Sequence, residues 1–259
     1  MAFTEGETLY LQDEEGKRHW FRYQPGMIQL GGLGSIDGSR FAGPGDGDSI
    51  EIAGRWFNVF RPGVRELSDS LDRGAQIITP KDASAIVYEC DVKCGDRVIE
   101  VGAGSGGLTT ALLHAVAPEG HVHTVELYEK NAGKALKNIK RTGLDAHWSY
   151  QIGDARCADI EFDGADVITT DIPDVEQALD NLYPHLRNGG RICTYVPNAN
   201  QLERAVNALR GKGFCDIRSM EILRRGMEVG PGGVRPSFDM LGHTGYLTFA
   251  RKRAILQSR

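Results

Sequence analysis

The run Val98-Ile99-Glu100-Val101 breaks directly into Gly102-Ala103-Gly104-Ser105-Gly106-Gly107 and then into a helical stretch at 108–117. A β-branched run that ends in glycines and continues as a helix predicts a strand turning sharply at the top of a sheet. The alternation then repeats. A second strand is predicted at 122–126 with a helix at 131–141, a weak third strand at 149–152, and a clear fourth at 165–171 with a helix at 175–186. A fifth follows at 191–196, stopped by Pro197, with a helix at 201–210. This order predicts an α/β chain with a mostly parallel sheet covered on both faces. Its end differs: 215–223 and 246–251 both lean to strand across a Gly- and Pro-rich connection, 226–245, which predicts an antiparallel finish.

Residues 1–66 show no helical period. They carry β-leaning pieces at 8–11, 19–23 and 55–60 between Gly and Asp clusters, which predicts a small all-β domain. The boundary falls where the character changes, from Arg65 to Leu71, and leaves 67–259 as the second domain. There Thr79-Pro80-Lys81-Asp82 opens a helix, with Pro80 in the first turn and Asp82 facing the dipole. Gly supplies 33 of the 259 residues, nearly twice the usual share of about 7%. Apolar residues at 41% and charged residues at 25% exclude a disordered chain. No apolar run approaches the roughly 18 residues of a membrane span. The acidic start, Met1 to Glu7, lacks a basic-then-apolar leader, so a cytoplasmic protein is expected. Five scattered cysteines without a CxxC pair predict neither a metal site nor a disulfide framework. Net charge is −5, but residues 201–259 hold eleven Lys and Arg against five Asp and Glu. An anionic macromolecule could dock on such an end, as could nothing more than water on Arg251-Lys252-Arg253.

Gly102, Gly104 and Gly107 satisfy GxGxxG at a strand-to-helix turn, where backbone N–H groups can point at a ligand. Glu126 closes the second strand, 24 residues beyond Gly102, and could accept both hydroxyls of a ribose. NAD and S-adenosylmethionine sites share that feature. Gly153-Asp154-Ala155 after the third strand could accept from the exocyclic amine of adenine. Asp171-Ile172-Pro173-Asp174 follows the fourth strand, where a side chain points into the crevice of the second substrate. Either aspartate could instead cap the next helix, and Asp174 is better placed to do so.

Ile78-Thr79-Pro80-Lys81-Asp82-Ala83-Ser84-Ala85, Val98 through the glycine turn to Thr109, and Gly242-His243-Thr244-Gly245-Tyr246-Leu247 resemble the signatures of the tRNA (adenine-N1) methyltransferases that modify position 58 of the T-loop. The resemblance covers residues 71 to 252. It implies a seven-stranded Rossmann-like class I methyltransferase sheet with an antiparallel last strand, behind a small N-terminal all-β domain. It also implies S-adenosylmethionine as cofactor, tRNA as substrate, adenine 58 (with 57 left open) as target, and a homotetramer. By position, Gly102, Gly104, Ser105, Gly106, Gly107 and Leu108 would hold the methionine and ribose of the donor. Glu126 would bind the ribose with Asn131 beside it, and Asp154 and Ala155 the adenine. Asp171, the catalytic residue, would hold the target adenine and touch the donor.

Two departures fall on the target-base side. Val175 and Glu176 follow Asp174 where the family has Pro and an aromatic, and no Trp stands near Met227. A corrinoid-precursor methyltransferase shares the glycine loop but not the N-terminal domain or the Gly-His-Thr ending. An NAD(P)-dependent oxidoreductase rests on GxGxxG alone. A non-catalytic tRNA-binding subunit would be expected to lose Glu126, Asp154 and Asp171. Elsewhere His243 reads as a satisfied structural group and Cys90 and Cys94 as ordinary buried thiols. Lys134, Lys137 and Lys140 read as a solvated helix face, and Trp20, Phe21 and Tyr23 as core. Arg224, Arg225 and Arg235 are candidates for phosphate contact.

Overall fold

In the computed structural model, which describes residues 2–72, 74 and 77–254, the chain begins with short strands. They are β1 (Thr8–Gln12), β2 (Arg18–Arg22), β3 (Met27–Leu30), β4 (Gly34–Asp37), β5 (Ser49–Ile52) and β6 (Arg55–Phe60). Four form an antiparallel sheet in the order β2-β1-β6-β5, and β3 and β4 form a separate hairpin. Period-two alternation turns Leu9, Leu11, Phe21, Ile28, Phe57 and Val59 into one core with Phe41. Phe21 and Tyr23 are buried there, and Trp20 packs on Tyr10 at 5.1 Å. β3, β4 and β5 lie in the Gly- and Asp-rich stretches read above as turns.

Two helices lead into the larger sheet, α1 (Val64–Asp69) and α2 (Pro80–Glu89). Then come β7 (Arg97–Val101), α3 (Gly107–Val116), β8 (His121–Glu126), α4 (Glu129–Thr142), β9 (Trp148–Ile152), β10 (Ala165–Thr170), α5 (Val175–Leu182), β11 (Leu186–Val196), α6 (Ala199–Gly211) and β12 (Cys215–Glu221). The chain closes with β13 (Met227–Gly230), β14 (Gly233–Pro236) and β15 (Tyr246–Arg251). Seven strands pair in the order β12-β15-β11-β10-β7-β8-β9, all parallel except β15, which inserts antiparallel between β11 and β12. The sheet separates two apolar layers. Val98, Leu112, Leu113 and Ile139 pack on the α2–α3–α4 side, and Ile99, Val101, Leu179 and Leu209 on the α5–α6 side.

Three local expectations need correction. The helix expected to run to 186 ends at Leu182, because Pro184 sits in a 3-10 turn, Tyr183–His185, and Leu186 already opens β11. The connection 226–245 contains the β13–β14 hairpin. Of the cysteines, Cys90 is buried beside Cys193, whose thiol burial pushes up, but Cys94 is exposed.

Candidate active site

Strand order reverses at β7: the chain steps to β8 and β9 on one side and to β10 and β11 on the other. A crevice must open at that switch point, above the carboxyl ends of β7 and β10. Gly102 begins it with φ +91°, its N–H donating to Val125 O at 2.9 Å. The Asp171 N–H donates to Val101 O at 2.9 Å, and a Cβ on Gly102 would fall 2.8 Å from Asp171 O. Only glycine lets the two turns touch. Gly104 (φ +53°) faces open space, and Gly106 (φ +83°) turns the chain into α3.

The cleft above has a volume of about 450 Å³ and is lined by Gly102, Gly104, Glu126, Asn131, Asp154, Ala155 and Asp171, all singled out from sequence. Ser105, Gly107 and Leu108 line a small adjoining pocket with Ile77 and Ile78, while Gly106 lines neither. Ser105 is turned toward the linker: its hydroxyl accepts the Gly74 N–H at 3.1 Å, and its carbonyl accepts the Asn138 amide at 2.8 Å.

Glu126 is 4% exposed, not the surface group a bare turn would carry. Its Oε2 accepts the Ala103 and Gly104 N–H groups at 2.9 and 3.3 Å, and its Oε1 accepts the Tyr128 N–H at 2.9 Å and the Asn131 amide at 3.3 Å. Asp154 accepts a two-pronged bond from Arg156, 2.7 to 3.0 Å, which holds its carboxyl below the usual range. Arg156 also lies 4.0 Å from Asp174. Asp174 occupies the N-cap position of α5 without a side-chain cap bond. Asp171 is exposed to the cleft, yet protein crowds its carboxyl. That desolvation, with Glu126 nearby, pushes it up to about 6. Water entering the open cleft moderates the shift, and a ligand that excludes water strengthens it.

Arg156 and Glu100 were missed from sequence. Arg156 looked like an ordinary turn residue, but Glu100, an acid inside an apolar strand, was a visible anomaly. The Gly-His-Thr segment is hydrogen-bonded on both sides. His243 bonds to Glu221 at 2.6 Å and Pro197 O at 2.7 Å, and those acceptors raise its pKa. Lys81 donates to Asp82 and to Thr244, at 2.7 and 2.6 Å, which joins the start of α2 to the segment before β15. A larger groove, about 930 Å³, lies between α1, α2 and α3 against Ala83, Val87 and Tyr88. It has no glycine turn and lies away from the switch point, so size does not make it the active site.

A seven-stranded sheet of this order, with a glycine turn after β7 and acids after β8, β9 and β10, defines a class I methyltransferase. Two solved structures share it over nearly the whole chain. One, a SAM-dependent O-methyltransferase from Thermotoga maritima, is 28% identical with TM-score 0.84 over 99% of this chain and 97% of that one. The other, the tRNA (m1A58) methyltransferase TrmI from Aquifex aeolicus, is 26% identical with TM-score 0.77 over 98% and 100%. Residues 55–231 match the family model described as the tRNA methyltransferase complex GCD14 subunit. The chain belongs to that tRNA methyltransferase family. It is 32% identical, over 93% of both chains, to tRNA (adenine(57)-N(1)/adenine(58)-N(1))-methyltransferase TrmI of Methanocaldococcus jannaschii.

Proposed function

We propose that this protein transfers a methyl group from S-adenosylmethionine to N1 of an adenine in tRNA, position 58 of the T-loop being the target. The observation that carries the reading is Asp171: it stands where the donor cleft meets the open carboxyl edge of the sheet, fixed there by its contact with Gly102.

The residues fit the donor. A cleft of about 450 Å³ is in the range that encloses a small ligand, and Gly104 leaves its floor open. Gly102, Gly104, Ser105, Gly107 and Leu108 would hold the methionine end, and Asp154 with Ala155 the adenine. Glu126 would take the ribose. Its two longer bonds, from Gly104 and Asn131 at 3.3 Å, are the ones that ribose hydroxyls can replace. Bound there, S-adenosylmethionine supplies a sulfonium methyl open to in-line attack, a step in which alignment does most of the work.

Neutral adenine already has a lone pair on N1, so this chain needs no strong base. Asp171 accepts from the N6 amine, orients the ring and offsets the positive charge that develops on it. The target base must leave its stack to reach that carboxylate. The reading extends to a cytoplasmic homotetramer. Among the described residues no helix is long and apolar enough to cross a membrane. The exposed Val229, Val234, Phe238 and Leu241 beside β13 and β14 suit contacts between copies. Incubation with labelled S-adenosylmethionine and unmodified tRNA, followed by nucleoside analysis, tests the function. Label in 1-methyladenosine is expected; label in a 2′-O-methylnucleoside would favour oxygen transfer.

A further inference from the structure

Glu100 does not line the cleft. It sits in β7 two residues before Gly102 and is 1% exposed. Its Oε2 accepts hydroxyl bonds from Thr109 of α3 and Thr124 of β8, each 2.7 Å. The Thr124 hydroxyl in turn accepts the Trp148 indole N–H at 2.8 Å. Oε1 is buried with no partner among the described residues. An ionised carboxylate there leaves half its charge on an oxygen without a donor, whereas a neutral carboxyl leaves only a polar group unpaired.

The surrounding charge pushes the same way. α3 and β8 present the two threonine hydroxyls, and β9 reaches the group through Trp148. Among the described residues, the charged groups that act on Glu100 are Asp171 after β10 and Glu126 at the end of β8. Burial raises its carboxyl to about 7; the hydroxyl bonds oppose that rise, and the two acids add to it. Among the described residues, the cleft itself is lined by Glu126, Asp154, Asp171 and Asp174 against one cation, Arg156, which is committed to Asp154. Those described residues leave acid in excess of base around the cleft.

We propose that Glu100 holds a proton while the cleft is open and releases it to solvent when the positively charged methyl donor binds. The carboxyl O–H breaks, its electrons stay on Glu100 and the proton goes to the buffer; nothing in the donor changes. S-adenosylhomocysteine, a neutral thioether at the same place, leaves the proton where it was. Glu100 thereby helps the cleft distinguish donor from spent product by charge, without touching either. The inference rests on S-adenosylmethionine being the donor.

Calorimetric titration of the full chain at pH 7, in two buffers of different ionisation enthalpy, counts the protons released. S-adenosylmethionine is expected to release roughly half a proton more than S-adenosylhomocysteine, because a group titrating near that pH is half protonated. Between pH 6 and 8 the Kd for S-adenosylmethionine should tighten several-fold, and that for S-adenosylhomocysteine much less. Glu100→Gln should remove the excess at pH 7 and leave only the smaller Asp171 contribution nearer pH 6. Thr109→Val, which takes one hydroxyl from Oε2, should move the release to higher pH. Equal proton counts for the two ligands in the unaltered protein overturn the proposal, as does an excess at pH 7 that Glu100→Gln leaves undiminished. If neither ligand binds, the donor assignment itself falls.

Discussion

If Asp171 holds the target adenine as proposed, its replacement separates donor binding from methyl transfer. Asp171→Asn keeps the shape but removes the negative charge opposite the developing adeninium. Loss of one such preorganised interaction costs about 3 kcal/mol, or about a hundredfold in rate. Single-turnover methylation of tRNA should show that loss while the Kd for S-adenosylhomocysteine stays within a small factor. Near wild-type turnover would reduce Asp171 to a structural residue. Glu100 makes a separable statement about stability. Its carboxyl titrates at about 7 in the fold against 4.5 ordinarily, so the folded state favours the proton. The raised value contributes stability that is complete below pH 4.5 and is lost as pH rises through 7. At about 1.4 kcal/mol per unit the loss is on the order of 3 kcal/mol. Urea midpoints at pH 5 and 8 should therefore fall further apart in the unaltered protein than in Glu100→Gln. Equal separations would mean that Glu100 does not titrate in this window.

At the scale of elements, α4 anchors both the linker and the glycine turn through one buried side chain. Asn138 is 1% exposed; its amide donates to Asp72 O at 3.2 Å and Ser105 O at 2.8 Å, and its carbonyl accepts the Asp72 N–H at 3.1 Å. Asn138→Ala leaves those backbone groups unpaired at a cost of about 2–3 kcal/mol, which in a chain of this size lowers Tm by roughly 4–10 °C. S-adenosylhomocysteine should also bind several-fold more weakly, since Ser105 belongs to the turn. Thermal unfolding with and without the ligand checks both effects; an unchanged Tm would remove Asn138 from this role. Nothing in the sequence around Asn138 announced this link, because it joins residues 33 and 66 positions apart. The elements of the sheet were legible for the opposite reason. β7, β8 and β10 are β-branched runs that stop at their turns, and the glycines after β7 must adopt left-handed backbone. β3, β4, β5 and the β13–β14 hairpin hide among glycines that read equally well as loops. The same limit applies in the cleft. Glu126, Asp154 and Asp171 were visible because they end strands, but the four donors on Glu126 and the Arg156 fork on Asp154 arise only once those strands are side by side.

For the whole molecule, a net charge of −5 and the proposed action on tRNA ask where an anionic RNA would dock, and register points to one surface. Thr170 pairs Val101 and Thr194, and Tyr246 pairs Val196 and Glu221. The connection between β12 and β15 therefore leaves the sheet at the same edge as Asp171. It carries Arg235 on the β13–β14 hairpin and Arg224 and Arg225 just before it, all three exposed. Arg225 donates to Ser237 O at 3.2 Å, and Arg235 lies 4.5 Å over the Phe238 ring while pairing with Glu228. Acid is thus gathered in the cleft proposed for the cationic donor, and three arginines stand on the arm beside it. Replacing the three arginines with alanine should weaken tRNA binding and lower the slope of log K against log salt by about 2–3, near 0.7–0.9 for each phosphate no longer neutralised. Between 50 and 200 mM salt, the unaltered protein should lose about 30-fold more affinity than the variant. The Kd for S-adenosylhomocysteine should not move, since none of the three lines the cleft. Binding isotherms with one tRNA transcript at four salt concentrations measure the slope. An unchanged slope would exclude this arm as the RNA-binding surface and direct the search to the basic residues of other elements.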